Sequence, residues 1–195
     1  MEKQEYYIEL NNKAERMLRK GEFLGSGHNG IVYLLPDKKV IKVFKEKKVC
    51  KKEREILEKT NNSRYFPKIY DYGDYFILRE YIRGGERLDH YIKQKGINKR
   101  LTNNIVKLIR EFEKLKFKKL DIRCKDIYVD KKYKLRIIDP KNNYSKTVIY
   151  PRHLMKGLNK LDVLDEFLLQ VKKEDKKYYD LWNTRMRDYL ERGIK

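Results

Sequence analysis

A chain of 195 residues is long enough to bury a real core, as one domain or as two small lobes. Apolar and charged residues each supply 40% of it, which excludes disorder and leaves a heavily charged surface. The formal charge of +20 admits a polyanionic partner, such as nucleic acid, an anionic membrane surface or an acidic protein, but the lysines run from Lys3 to Lys195 without one dense tract, as on a solvated basic face.

Taken in chain order, residues 9–20 (ELNNKAERMLRK) predict a short polar helix. GEFLGSGHNGIVYLLPDKKVIKVFK then alternates turn residues with β-branched runs, predicting three strands, the second and third joined by a turn at Pro36 and Asp37. Residues 45–60 carry Val49, Ile56 and Leu57 at helical spacing among charges, so a helix with one thin buried face is expected. KIYDYGDYFILREYI predicts two more strands around a Tyr-Gly-Asp turn, and GGERLDHYIKQKG a glycine pair and a short helix. Thr102 is placed to cap a helix running to about residue 116, whose Ile105, Leu108, Ile109, Phe112 and Leu115 should face the core. IYVDKKYKLRIID is β-rich, and PRHLMKGLNKLDVLDEFLLQV and YYDLWNTRMRDYL predict closing helices.

No apolar run reaches the roughly 18 residues of a membrane helix, and the start is charged where a leader peptide is apolar. A cytoplasmic protein with no membrane span is expected. Cys50 and Cys124 have no metal-type spacing and should be reduced thiols. His28, His90 and His153 form no metal set and are assigned no chemistry.

The chemistry-bearing residues begin with GSGHNGIV, which fits G-x-G-x-x-G-x-V with Gly25, Ser26, Gly27, Gly30 and Val32. Backbone without Cβ atoms can approach phosphate oxygens closely. After Gly30 comes a strand, not the helix a dinucleotide fold requires. Lys42 falls in the middle of VIKVFK, opposite in facing to Ile41 and Val43, and a lysine among core residues needs an anionic partner. Glu53, three and four positions before Ile56 and Leu57, is the preferred carboxylate on the following helix, with Glu55 the alternative.

FILREYIRGGERLDHYI, then KLDIRCKDIYVD after the long helix, then RIIDPK, complete an ordered set from residue 25 to residue 139 that resembles the protein kinases, in particular the small eukaryotic-like bacterial serine/threonine kinases. The resemblance implies an α+β, bilobal fold: residues 1–82 as a lobe with a five-stranded antiparallel sheet and one main helix, residues 83–195 as a reduced, mostly helical lobe. It implies ATP and Mg²⁺, with Mn²⁺ as an alternative, and transfer of the γ-phosphate to a hydroxyl. On the positions that match, Lys42 would hold the α/β-phosphates with its ammonium kept in place by Glu53, Glu80, Tyr81 and Ile82 would form the hinge behind a gatekeeper at Arg79, and Glu86 would reach the ribose. Asp121 would orient the acceptor, Arg123 would stabilise charge, and Asp126 and Asp139 would bind metal.

Lys119 stands where the family has histidine, Asp126 where it has asparagine, and Pro140-Lys141 where it has Phe-Gly. Aspartate offers a hard oxygen at nearly the same place as asparagine. Ser145 and Thr147 occupy the region of an activation loop, next to lysines able to pair with added phosphate. The acceptor stays open between a protein and a small molecule of the aminoglycoside or fructosamine kinase type. A silent nucleotide-binding module and a basic nucleic-acid binder using some of the 16 tyrosines are the readings from other classes.

Overall fold

β-branched and aromatic runs separated by turn residues dominate the first half of the chain, and they fold as strands. The structure, a computed structural model, describes residues 10–140, 144 and 146–193, which divide at Arg83 and Gly84 into two compact units. In the first, α1 (Asn12–Leu18) is opened by the Asn11 side chain, which accepts from the Ala14 amide at 2.9 Å. There follow β1 (Glu22–Gly27), β2 (Gly30–Leu34), β3 (Lys39–Phe44), α2 (Lys47–Lys59), β4 (Ile69–Tyr72) and β5 (Phe76–Glu80). The strands make the expected antiparallel five-stranded sheet, in the order β1-β2-β3-β5-β4.

Period-2 alternation gives this sheet two apolar faces. Ile41, Phe76 and Leu78 pack with Leu35 and with Ala14 of α1 on one side. Phe44 and Ile77 pack with Cys50 and Leu57 of α2 on the other. Burying each large side chain contributes about 1.5–3 kcal/mol, so the thin apolar stripe of α2 suffices to dock it although most of the helix is charged. That stripe also carries Glu53, which is buried with Cys50, Ile56 and Leu57. Val49, expected on it, is half-buried at its edge.

The second unit contains β6 (Gly85–Arg87), α3 (Leu88–Lys95), α4 (Lys99–Lys114), a 3-10 turn at Cys124–Asp126, β7 (Ile127–Asp130), β8 (Leu135–Ile137), α5 (Arg152–Asn159), α6 (Leu164–Glu174) and α7 (Lys176–Arg192). β6, β7 and β8 pair antiparallel in that order. β6 was not expected, because a three-residue strand beginning with glycine has no periodicity to read. Pairing of Glu86 with Val129 is what makes it a strand.

α4 starts earlier than its threonine suggested. Asn98, not Thr102, is the cap, accepting from the Leu101 amide at 2.9 Å, while Thr102 is buried inside the first turns. An asparagine in extended backbone before the helix is the better cap, and Thr102 then falls on the core face. Leu101, Ile105, Leu108, Ile109 and Phe112 are buried, while Leu115 ends the helix half-buried. α6 and α7 close around Trp182, stacked on Tyr178 at 4.7 Å and on Phe167 at 6.2 Å between ring centroids. The whole is a mixed α+β fold, and among the described residues no helix is long and apolar enough to cross a membrane.

Both cysteines are free and buried, and burial pushes each thiol up to about 12. Neither is a nucleophile at neutral pH.

Candidate functional site

The glycine-rich segment is a hairpin: β1 and β2 pair down to Gly27 opposite Gly30, with His28 and Asn29 at the turn. Its glycines are there for different reasons. Gly30 has a φ of +157°, and a Cβ on it would sit 1.9 Å from the carbonyl oxygen of Val43, so the passage of β3 demands glycine. At Gly25 and Gly27 a Cβ would meet nothing within 4 Å and the backbone is not in the left-handed region. No packing in the described residues requires glycine at those two places, and what its absence of side chain gives there is clearance on the outer surface. Ser26 is exposed beside them.

Direct cross-strand partners place Gly25, Val32, Lys42 and Ile77 in one row across β1, β2, β3 and β5. The row lies on the face covered by α2, because Ile77 packs there. Lys42 therefore points at that helix, and its Nζ lies 2.6 Å from Oε2 of Glu53. The two side chains are 10% and 5% exposed, whereas Glu55 is on the solvent side of α2. The ammonium also lies 4.7 Å from the Phe44 ring centroid. Oε1 of Glu53 is shielded from solvent and has no hydrogen-bond partner among the described residues. A fixed, desolvated cation of this kind is costly to build for stability alone.

At the end of β5, Arg79 is buried and Glu80 is tied to Lys68 in both directions, with Glu80 N donating to the Lys68 carbonyl at 2.8 Å and Lys68 N to the Glu80 carboxylate at 3.2 Å. Tyr81 and Ile82 follow outside any helix or strand, and among the described residues they take part in no backbone hydrogen bond outside the regular elements. Glu86 is the middle residue of β6, half-buried.

In the second unit, Val148 clasps the segment before Asp121: its amide donates to the Lys118 carbonyl at 2.9 Å and its carbonyl accepts from Leu120 at 2.8 Å. This return of the chain brings α5 onto the loop. Gly157 of α5 lies against Cys124, where a Cβ would come within 2.7 Å of the sulfur, and the Cys124 thiol reaches the Leu154 carbonyl at 3.6 Å. The result fixes Asp121. One carboxylate oxygen accepts from the His153 amide at 2.9 Å and the Leu154 amide at 3.4 Å, and the other pairs with Nδ1 of the His153 ring. Pro151 supplies no side-chain cap to α5, so Asp121 caps that helix from 32 residues away in the chain. The Asp121 side chain is 0% exposed and the His153 ring 46%. His153, assigned no chemistry from the sequence, is thus the partner of Asp121. Tyr150 beside it is buried with its hydroxyl unpaired among the described residues, and burial pushes its pKa up, with the charge of Asp121 adding to the effect.

Arg123 grips Asp126 with both arms, Nε to Oδ2 at 2.5 Å and a terminal nitrogen to Oδ1 at 2.8 Å. Its pKa is held up by Asp126 first, with the charge of Asp139 contributing. Asp139 stands half-buried in the bend after β8, and the Ile138 amide donates to the Asp126 carbonyl at 3.1 Å, joining the two segments. Among the described residues no group of three or more potential ligands forms a ready-made metal cage. Two hard carboxylates acting on one cation fit the way magnesium is usually held, by one or two carboxylates with phosphate oxygens and water. Each Asp126 oxygen accepts one hydrogen bond from Arg123 and keeps a further lone pair. Pro140 is buried, Thr147 is exposed, and Lys141 and Ser145 lie outside the described residues.

No family model matches the chain. A curated Bacillus subtilis protein, YrzF, named provisionally as a serine/threonine-protein kinase, is 26% identical over 137 residues, 66% of this chain and 64% of that protein. The kinase PK-1 of Cydia pomonella granulovirus superposes with a TM-score of 0.51 at 19% identity, over 71% of this chain and 56% of the viral one. That likeness is one of fold. A fainter one, with a TM-score of 0.38 and 23% identity over 54% of this chain and 38% of the other, is to the streptomycin-ATP-APH(2")-IIa ternary complex. In each comparison the chain spans less than two thirds of its relative's length.

Proposed function

We propose that this chain, which belongs to the protein-kinase-like superfamily, is an ATP-dependent phosphotransferase that delivers the γ-phosphoryl group to a protein serine or threonine hydroxyl. The buried Lys42–Glu53 pair carries the reading. Such a pair gains little as a stabilising device, but it holds an ammonium at a fixed height on the sheet, in line with the open glycine backbone of β1. In this reading Lys42 takes the α/β-phosphates, the Gly25–Gly27 backbone lies along the phosphates, the chain at Tyr81 and Ile82 offers backbone groups to adenine, and Glu86 reaches the ribose. Asp121 is the acceptor-side carboxylate, and Asp126 and Asp139 hold Mg²⁺ or Mn²⁺. The metal, when bound, neutralises charge on the β- and γ-phosphates. The name of the curated relative supports a protein acceptor.

The glycines give a direct check. Gly30→Ala should cost more than about 3 kcal/mol, because it drives a methyl into backbone. Gly25→Ala and Gly27→Ala should leave stability within about 0.5 kcal/mol yet weaken ATP binding. Thermal unfolding and nucleotide titration of the same three variants read both effects. Equal ATP affinity in wild type, Gly25→Ala and Gly27→Ala would remove the phosphate role of the hairpin.

Arg123 on Asp126 favours a second reading, a nucleotide-binding module without transfer. ATP turnover with Mg²⁺ and with Mn²⁺, offered protein and small hydroxyl acceptors in parallel, separates the two. If Asp126 is a ligand, Asp126→Ala should raise the metal concentration for half-maximal activity by at least about tenfold. An unchanged metal titration would show that Asp126 serves only to hold Arg123.

A further inference from the structure

Three arginines of the second unit each hold a carboxylate: Arg87 pairs with Asp89, Arg110 with Asp175 and Arg123 with Asp126. Arg152, Lys156 and Arg185 do not, since none of the three makes an ion pair among the described residues. They are gathered all the same. Arg152 and Lys156, four positions apart on one face of α5, both lie over the Tyr189 ring of α7, at 5.5 and 5.4 Å from its centroid. The Lys156 ammonium also donates to the Tyr189 hydroxyl at 2.8 Å, and Arg185 stands one turn before Tyr189 on the same helix. Burial raises the pKa of Tyr150, and the charges that act on it next are those of Arg152, Asp121 and Arg185, so the cations and the acceptor-side carboxylate surround one buried residue. We propose that Arg152, Lys156 and Arg185 receive an anionic group of the acceptor protein, a carboxylate or a phosphate carried within a few positions of the hydroxyl that is phosphorylated. This rests on the phosphotransfer reading above and adds the class of substrate.

Like charges brought together without a counter-ion repel one another, and an exposed aromatic face offsets that only in part. An anion among them relieves the repulsion and takes charge-assisted hydrogen bonds from the guanidinium and ammonium groups. The aromatic seat prepares the site, because the long side chains of Arg152 and Lys156 are already held on Tyr189 and lose less freedom when a ligand arrives. Its place in the fold suits an acceptor. Asp121 accepts from the amides of His153 and Leu154, so the carboxylate that would orient the hydroxyl lies at the end of α5 that carries Arg152, with Lys156 one turn further on. An extended segment with its serine at Asp121 passes these cations within a few residues. Lysines on an ordinary solvated face would stand apart from one another, with no ring in common.

Peptides with a single serine in a neutral background, scanned at each flanking position with glutamate, phosphoserine or lysine, read the site in the full chain with ATP and either metal. Glutamate or phosphoserine at a favoured position should lower the peptide KM by about tenfold or more against the neutral peptide, and lysine there should raise it. A larger drop with phosphoserine assigns the site to a phosphate, and a larger drop with glutamate to a carboxylate. Lys156→Glu with Arg185→Glu alters two exposed side chains and should turn the preference round, making the lysine peptide the better acceptor. A loss of folding cannot produce that gain. One KM for every peptide in the wild type, or an acidic preference that survives in the double variant, overturns the subsite and leaves phosphotransfer standing. So does transfer confined to small-molecule acceptors. Binding of an RNA oligomer that the double variant loses, with no preference among peptides, gives the patch to nucleic acid and overturns the subsite as well. Absence of transfer to any peptide or small acceptor with either metal removes the phosphotransfer reading and the subsite together.

Discussion

Lys42→Ala should cost the protein its nucleotide and a large part of its stability. Glu53 is 5% exposed and depends on the Lys42 ammonium at 2.6 Å, while its second oxygen already lacks a hydrogen-bond partner among the described residues. Removing one member of a buried pair leaves the other as an uncompensated charge, which costs about 3–5 kcal/mol. Denaturant unfolding should show that loss, and ATP titration should show binding reduced with it. The two effects can be parted. In Lys42→Met with Glu53→Leu both charges go, and exchange of a buried pair for apolar groups is close to neutral. That double variant should regain most of the stability and none of the nucleotide affinity. If it binds ATP like the wild type, the pair is structural and Lys42 has no phosphate to hold.

Asp121→Ala should behave in the opposite way, abolishing phosphate transfer while leaving ATP binding largely intact. Its carboxylate lies in the second unit, whereas the proposed phosphate contacts of Lys42 and the glycine hairpin belong to the first. Loss of a general base or of its orientation lowers turnover by about 10²–10⁴-fold. Some stability is lost as well, about 1 kcal/mol for an uncapped helix end, since α5 has no other side-chain cap. Turnover under saturating ATP, read beside the melting temperature, separates the small structural effect from the large chemical one. A variant that keeps full turnover would show Asp121 to be a cap and nothing more.

The parts of this arrangement that sequence reveals are those written in local periodicity. β-branched runs around GSGHNGIV predict a hairpin, and alternation in VIKVFK predicts a lysine facing away from Ile41 and Val43, because neighbours in a strand must face opposite ways. The apolar spacing of residues 45–60 likewise puts Glu53 on the docked face. What sequence hides is pairing at long range. His153 lies 32 residues from Asp121, and nothing in PRHLM signals that the chain will return beside Leu120 and place a histidine there. β6 exists only because β7 is available to pair with it. The Arg123–Asp126 grip is written locally, since charges three positions apart meet across a tight helical turn, but the kinase pattern assigns the two residues separate roles. Thr102 is not the cap for a related reason: both threonine and asparagine cap helices, and only the start of burial at Leu101 decides between them.

Transfer of label from γ-labelled ATP by the purified protein, with Mg²⁺ and with Mn²⁺, alone and with cell extract, meets the proposal most squarely. Label appearing on a hydroxyl in the wild type and missing in Asp121→Ala, with ATP still bound by both, is the predicted result. Bound ATP that neither protein turns over with either metal, for any protein or small-molecule acceptor, would contradict it.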